Sequence, residues 1–220
     1  MCVSVEADIV AGIVVGAVAV DGLRYARRPA ERLLAAIPVV LGLHQLVEAV
    51  VWLGLDGAVP RPWWRPAAYA YLVIAFAVLP VLVPLAVGAL EPRAGRRRIR
   101  WFVVLGAAVA AVLTSALVRG PLDVADEGRR IGYEVGLWHG GVLVALYVLA
   151  TCGSLLSSSH RHVRWFGSAN LVAAAVLAYS DRVGFISLWC MWAAVTSVGV
   201  VAHLRWAEAS PAPRVVSARP

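Results

Sequence analysis

Charge is what this sequence has least of, and the little it has is of a restricted kind. Only 15% of its 220 residues are Asp, Glu, Lys or Arg and 61% are hydrophobic, whereas soluble globular domains carry about a quarter charged residues. That balance excludes an ordinary soluble domain and points to an integral membrane protein. Lysine is absent altogether, so all 20 basic residues are Arg. They cluster between apolar runs, where topology signals belong, so the formal charge of +7 implies no nucleic-acid partner. Three cysteines, Cys2, Cys152 and Cys190, lie far apart with no CxxC pair, which argues against a disulfide framework and a zinc ribbon. No basic segment precedes the first apolar run and no convincing cleavage site follows it, so that run is expected to be a retained helix rather than a signal peptide.

Long apolar runs, by contrast, fill the chain. A spanning helix needs about 20 such residues, and seven segments meet or approach that length: about 7–23, 33–55, 67–90, 99–118, 134–155, 163–180 and 184–206. The expected fold is all-α, a bundle of seven transmembrane helices over 1–206, followed by a Pro/Ser/Arg-rich tail, 207–220, expected to be disordered. The sixth segment is short and carries Asn170, and the third should kink at Pro80 and Pro84. The longest connection, 119–133, reads as an ordered surface loop or a short interfacial helix.

Counting Arg on alternate sides places fourteen on the side of the C-terminus and six on the other. The positive-inside rule then puts the N-terminus outside and the C-terminus in the cytoplasm of a bacterial inner membrane, with anionic lipid head groups as partners at the cytoplasmic face. Trp63-Trp64 and Trp101-Phe102 fall at the expected interfaces, where aromatic rings are enriched.

Within this apolar background, His44-Gln45-Leu46-Val47-Glu48 stands out. His44 and Glu48 are spaced i, i+4 and share a helical face with Trp52 one turn beyond, and ionisable groups at membrane depth are costly enough to need a partner or a task. At about 1.5 Å per residue, Glu48 lies roughly 10 Å below the outer surface, His139 roughly 8 Å, Cys190 roughly 9 Å and His44 roughly 16 Å. Glu48, His139 and Cys190, with Cys2 folding in from the outer N-terminus, are therefore candidate ligands of a transition metal such as zinc. His44 and Glu48 are candidate proton relays, and Trp52, Trp138, Trp189 and Trp192 candidate pocket walls. The plain alternative has Glu48 and His139 hydrogen-bonding across the bundle and Cys190 acting as a small buried hydrophobe. Ser187, Cys190, Ala194 and Ser197 form a stripe of small residues that suits close helix packing.

At these residues the chain resembles uncharacterised bacterial multi-pass proteins that open Met-Cys-Phe-Ser and carry a His-Gln-x-x-Glu element, followed by Trp, in the second helix. The matching residues are Met1-Cys2-Val3-Ser4, His44 to Glu48 with Trp52, and Trp189-Cys190-Met191-Trp192-Ala193-Ala194; Val3 departs from the pattern. The resemblance implies membrane architecture and no particular reaction. A looser, architectural likeness to seven-helix metal-dependent lipid hydrolases lacks the paired histidines expected in the last helix. The expected function is an outward-facing intramembrane polar pocket that binds a metal ion or small polar ligand, with metal-assisted hydrolysis as the chemistry it would suit. The alternatives are a proton-coupled transporter and a structural or sensory subunit.

Overall fold

The structure, a computed structural model, describes residues 4–126, 128, 131–137, 139–180 and 185–209. It is mostly helical. Seven helices occur among the described residues: α1 Val5–Tyr25, α2 Pro29–Leu55, α3 Arg61–Leu90, α4 Arg93–Arg119, α5 Gly140–Leu156, α6 Arg161–Ser180 and α7 Phe185–Ala209. Three of them, α2, α3 and α4, are long and apolar enough to cross a membrane. The last helix continues three residues beyond the expected boundary, to Ala209.

Helix α2 is the centre of the bundle, packed against α1, α3 and α7. Its contact with α1 is unusually close because both helices are stripped of side chains where they cross. A Cβ on Gly42 would stand 2.9 Å from the backbone nitrogen of Gly16, which is the close approach that small residues at four-residue spacing permit. The buried stripe of α1 is Asp8, Gly12, Val15, Ala19 and Gly22, a spacing of alternating fours and threes that keeps one face on the partner. Asp8 is thereby carried onto α2 by the same geometry that seats the glycines.

The expected bend in α3 takes the form of a widened turn, a π segment over Ile74–Val78. Pro80 has no N–H to offer the carbonyl it would meet in such a turn, that of Ala75. The hydroxyl of Tyr147 on α5 donates to that carbonyl at 2.9 Å. On the other side, the Pro80 carbonyl presses on Gly106 of α4, where any Cβ would collide with it.

Between α4 and α5 the chain is neither a plain loop nor an interfacial helix but a hairpin, β1 Leu122–Asp126 paired antiparallel with β2 Ile131–Val135. Leu122, Val124 and then Ile131, Tyr133, Val135 alternate with polar or small residues, a period of two that a strand buries on one face. Leu122, Ile131 and Tyr133 join Trp52, Tyr71 and Phe76 in one core. Gly128 in the turn adopts φ 78° and its N–H donates to the Asp126 carboxylate at 2.7 Å, an Asx-type closure. The fifth helix consequently starts at Gly140, not at 134. A second core, built on Leu34, Leu41, Leu79 and Ala194, occupies the opposite end of α2.

At that end a polar clamp joins two loops. Glu91, just past α3, is 2% exposed, and it accepts hydrogen bonds from the Ser158 hydroxyl at 2.6 Å and from the Ser159 N–H at 2.8 Å and hydroxyl at 2.5 Å. Burial pushes its pKa up, but the Ser158 and Ser159 donors and nearby His160 outweigh that, and the carboxyl sits below its ordinary value.

Candidate functional site

The side chains with chemical capacity converge where α1, α2, α3 and the hairpin meet. Asp8, His44, Gln45 and Glu48 are all 0% exposed. Gln45 and Glu48 lie one turn apart on the face of α2 that receives α1, and the Gln45 amide N–H₂ spans two carboxyls: its nitrogen is 3.3 Å from Asp8 Oδ1 and 3.4 Å from Glu48 Oε2. Two carboxyls from different helices therefore meet at one amide group, close enough that each feels the other's charge. A single charged carboxyl at the centre of a spanning helix costs about 2.5–3.5 kcal/mol on insertion scales, and two like charges at such range add repulsion to desolvation. A proton or another cation shared between the pair would relieve both costs.

His44, one turn deeper on α2, stacks face to face on Tyr71 of α3 at 3.9 Å between ring centres and 9° between planes. Tyr71 in turn stacks on Tyr133 of β2 at 4.8 Å. The column of three rings ties α2, α3 and the hairpin together. Burial first, and then the Glu48 and Asp8 carboxyls, push the Tyr133 phenol well above its ordinary pKa, so it remains a neutral hydroxyl. Several polar atoms in this interior have no hydrogen-bond partner among the described residues: both ring nitrogens of His44, one a donor and one an acceptor, and the acceptors Asp8 Oδ2 and Gln45 Oε1.

The residues singled out from sequence divide accordingly. Glu48 and His44 are at the site, and the Trp52 indole lies beside the Asp8 carboxyl. Cys190 of α7 is buried and stands next to the Tyr71 hydroxyl, within the field of Glu48. His139 is not brought to Glu48: it is exposed, in the turn before α5, with φ 56°. The run after the hairpin is apolar enough to resemble a helix from 134 onward, but Ile131–Val135 is a strand, and its end leaves His139 in the surface turn. Trp192 is also turned outward, 39% exposed. Cys2 and Trp138 lie outside the described residues. Among the described residues no three His, Cys, Asp or Glu side chains form a group that could hold a metal ion.

Trp189 and Cys190 instead separate two apolar cavities of about 290 Å³ and 60 Å³. Tyr147 joins them in that wall, its ring edge-on to Trp189 at 5.3 Å. The small-residue stripe of α7 serves packing as expected, since Cys190, Ala194 and Ser197 are buried. Asn170, the polar residue of the sixth segment, satisfies itself by donating to the Phe166 carbonyl at 2.9 Å, one turn back on α6.

Three participants escape a reading of the second helix alone. Asp8 carries a signal, since it continues the small-residue stripe of α1 at helical spacing. Tyr71 and Tyr133 carry little, because neither aromatic announces what it stacks against before the hairpin is known. No match to the chain is found among curated proteins or among solved structures. A family model does match, over residues 1–218, and the chain belongs to that family, described as a Family of unknown function (DUF6629).

Proposed function

We propose that this is a seven-span bacterial inner-membrane protein, N-terminus outside and C-terminus cytoplasmic, that works through a proton held between Asp8 and Glu48. The apolar length of α2, α3 and α4 and the skewed distribution of Arg support the membrane placement. The observation that carries the chemistry is the meeting of the two enclosed carboxyls at the Gln45 amide. Such a pair takes up and releases a proton as a unit rather than as two independent acids. Gln45 N–H₂ donates to whichever carboxyl is ionised, so the proton changes sides without leaving a bare charge. A conformational step that separates α1 from α2 would change the affinity for that proton, which is the coupling a proton-driven carrier of a small polar solute requires.

Infrared difference spectroscopy during a pH titration tests this without knowledge of the solute. The expected result is a titrating carboxylic-acid carbonyl band in the wild type that is diminished in both Asp8→Asn and Glu48→Gln. A band that persists unchanged in both variants, or no titrating band in the wild type, would sink the proposal.

A second reading starts from the unpartnered acceptors Asp8 Oδ2 and Gln45 Oε1. Carboxyl and amide oxygens would suit a hard cation such as sodium in place of the proton rather than zinc, since among the described residues no group fit for a transition metal forms. Elemental analysis separates the two readings: stoichiometric metal in the wild type, lost in Asp8→Asn, favours the ion over the shared proton.

A further inference from the structure

At the opposite end of the bundle from the carboxyl pair, the three helices long enough to span a membrane enclose a groove of about 810 Å³. Its rim carries Arg28 at the start of α2 and Arg93, Arg96, Arg97 and Arg100 along the first two turns of α4. Its floor continues over Leu33, Leu85 and Val103, toward the apolar middle of the same helices. Leu33 and Leu85 are exposed there despite their size.

The positive charge on the rim is answered only in part from within the protein, Arg100 lying over the Trp101 ring at 5.6 Å. Glu31 is committed to the cap of α2, accepting from the backbone N–H groups of Arg27 and Arg28. Glu91 is committed to Ser158 and Ser159. Arg28 shares Glu31 at 3.8 Å and Arg96 donates to the Glu91 carbonyl at 3.4 Å, while Arg93 and Arg97 have neither a hydrogen bond nor an ion pair among the described residues. The first turn of α4 adds its unpaired N–H groups, because Pro92 at its cap supplies no side-chain acceptor.

We propose that this groove is a binding site for an anionic phospholipid, its phosphate held by the Arg rim and its acyl chain lying on Leu33, Leu85 and Val103. Guanidinium groups match phosphate oxygens in geometry and charge. The apolar floor distinguishes a lipid from free phosphate, since a soluble anion has no use for it. The site depends on α2, α3 and α4 spanning the membrane and not on the Asp8–Glu48 pair.

Native mass spectrometry of the full chain in detergent, with phosphatidylglycerol or phosphatidylcholine added, reads this directly. The wild type should retain one phosphatidylglycerol in preference to phosphatidylcholine. Arg93→Gln/Arg97→Gln/Arg100→Gln should weaken that retention about a hundredfold, at about fivefold per Arg. The control Arg61→Gln/Arg65→Gln, at the other end of α3, should leave it unchanged. Leu85→Trp fills the floor while keeping every Arg, and should also displace the lipid, which covers the case in which the triple variant fails to fold. Equal retention by wild type and triple variant, equal loss in the Arg61/Arg65 control, or displacement of the lipid by inorganic phosphate alone would overturn the proposal.

Discussion

Replacing Glu91 with Ala removes the acceptor for three hydrogen bonds, and their surroundings decide how much each is worth. Ser158 is 2% exposed, so its hydroxyl loses a charged partner in a place where water replaces it poorly. A bond of that kind contributes about 1.5–3 kcal/mol. Ser159 is exposed, and its N–H and hydroxyl turn to water, so its two bonds add only a fraction more. The expected loss is about 3 kcal/mol, which for a chain of this length lowers Tm by about 6–12 °C. The pH dependence has a definite sign. The Glu91 carboxyl is held below its ordinary value in the fold, so its contribution is complete above the unfolded carboxylate value of about 4.3 and disappears as pH falls through the lower folded value. Thermal unfolding in detergent, followed by tryptophan fluorescence, should therefore show a constant gap between wild type and Glu91→Ala from about pH 5 to 8 that closes under stronger acid. In a double-mutant cycle, Ser158→Ala should cost less in the Glu91→Ala background than alone, the remainder being the bond from the His160 N–H to the Ser158 hydroxyl. A Tm within about 1 °C of wild type, or a gap that fails to close on acidification, would refute the reasoning.

Two further outcomes test other parts of the fold. Tyr147→Phe removes only the hydroxyl that satisfies the Ala75 carbonyl, and should cost about 0.6–1.7 kcal/mol, the measured range for such bonds between membrane helices, read as a drop of a few degrees in Tm. His44→Phe keeps the stack on Tyr71 and removes two unpartnered nitrogens; it should leave Tm unchanged or raise it by a few degrees. A clear loss of stability would mean that those nitrogens have partners.

The sequence disclosed the site's centre but not its membership. His44 and Glu48 were legible because ionisable groups in an apolar run are improbable without a reason, and the i, i+4 spacing set them on one face. Gln45 was passed over as the middle of a motif, yet its amide is what unites the carboxyls. Asp8, near the start of the first apolar run, is less conspicuous, although Gly12, Ala19 and Gly22 continue its stripe and mark that face as buried. His139 stands away from the site because Ile131–Val135, which reads as the approach to an apolar helix, is a strand. Five residues are too few for a helical period to fail visibly, while the alternation that defines a strand is easily mistaken for a polar loop. The bend of α3 was anticipated from Pro80, but its form, a widened turn sealed by Tyr147, depended on a residue 72 positions away.

That widened turn has a consequence for how the family varies. A π turn holds one residue more than the helix it interrupts, and one residue corresponds to about 100° of rotation. The half of α3 before Ile74–Val78 presents Tyr71 and Leu72 to the core beside the carboxyl pair, and the half after it presents Leu79 and Ala86 to the second core. Because the widened turn absorbs that residue, deleting one from 74–78 would close it to an ordinary turn and leave both halves facing the cores they face now, whereas deleting one elsewhere in α3 would swing one half about its axis and turn Tyr71 away from His44. A relative lacking one residue inside that turn would thus keep the alignment of this site, and one lacking a residue outside it would keep the letters and lose the alignment.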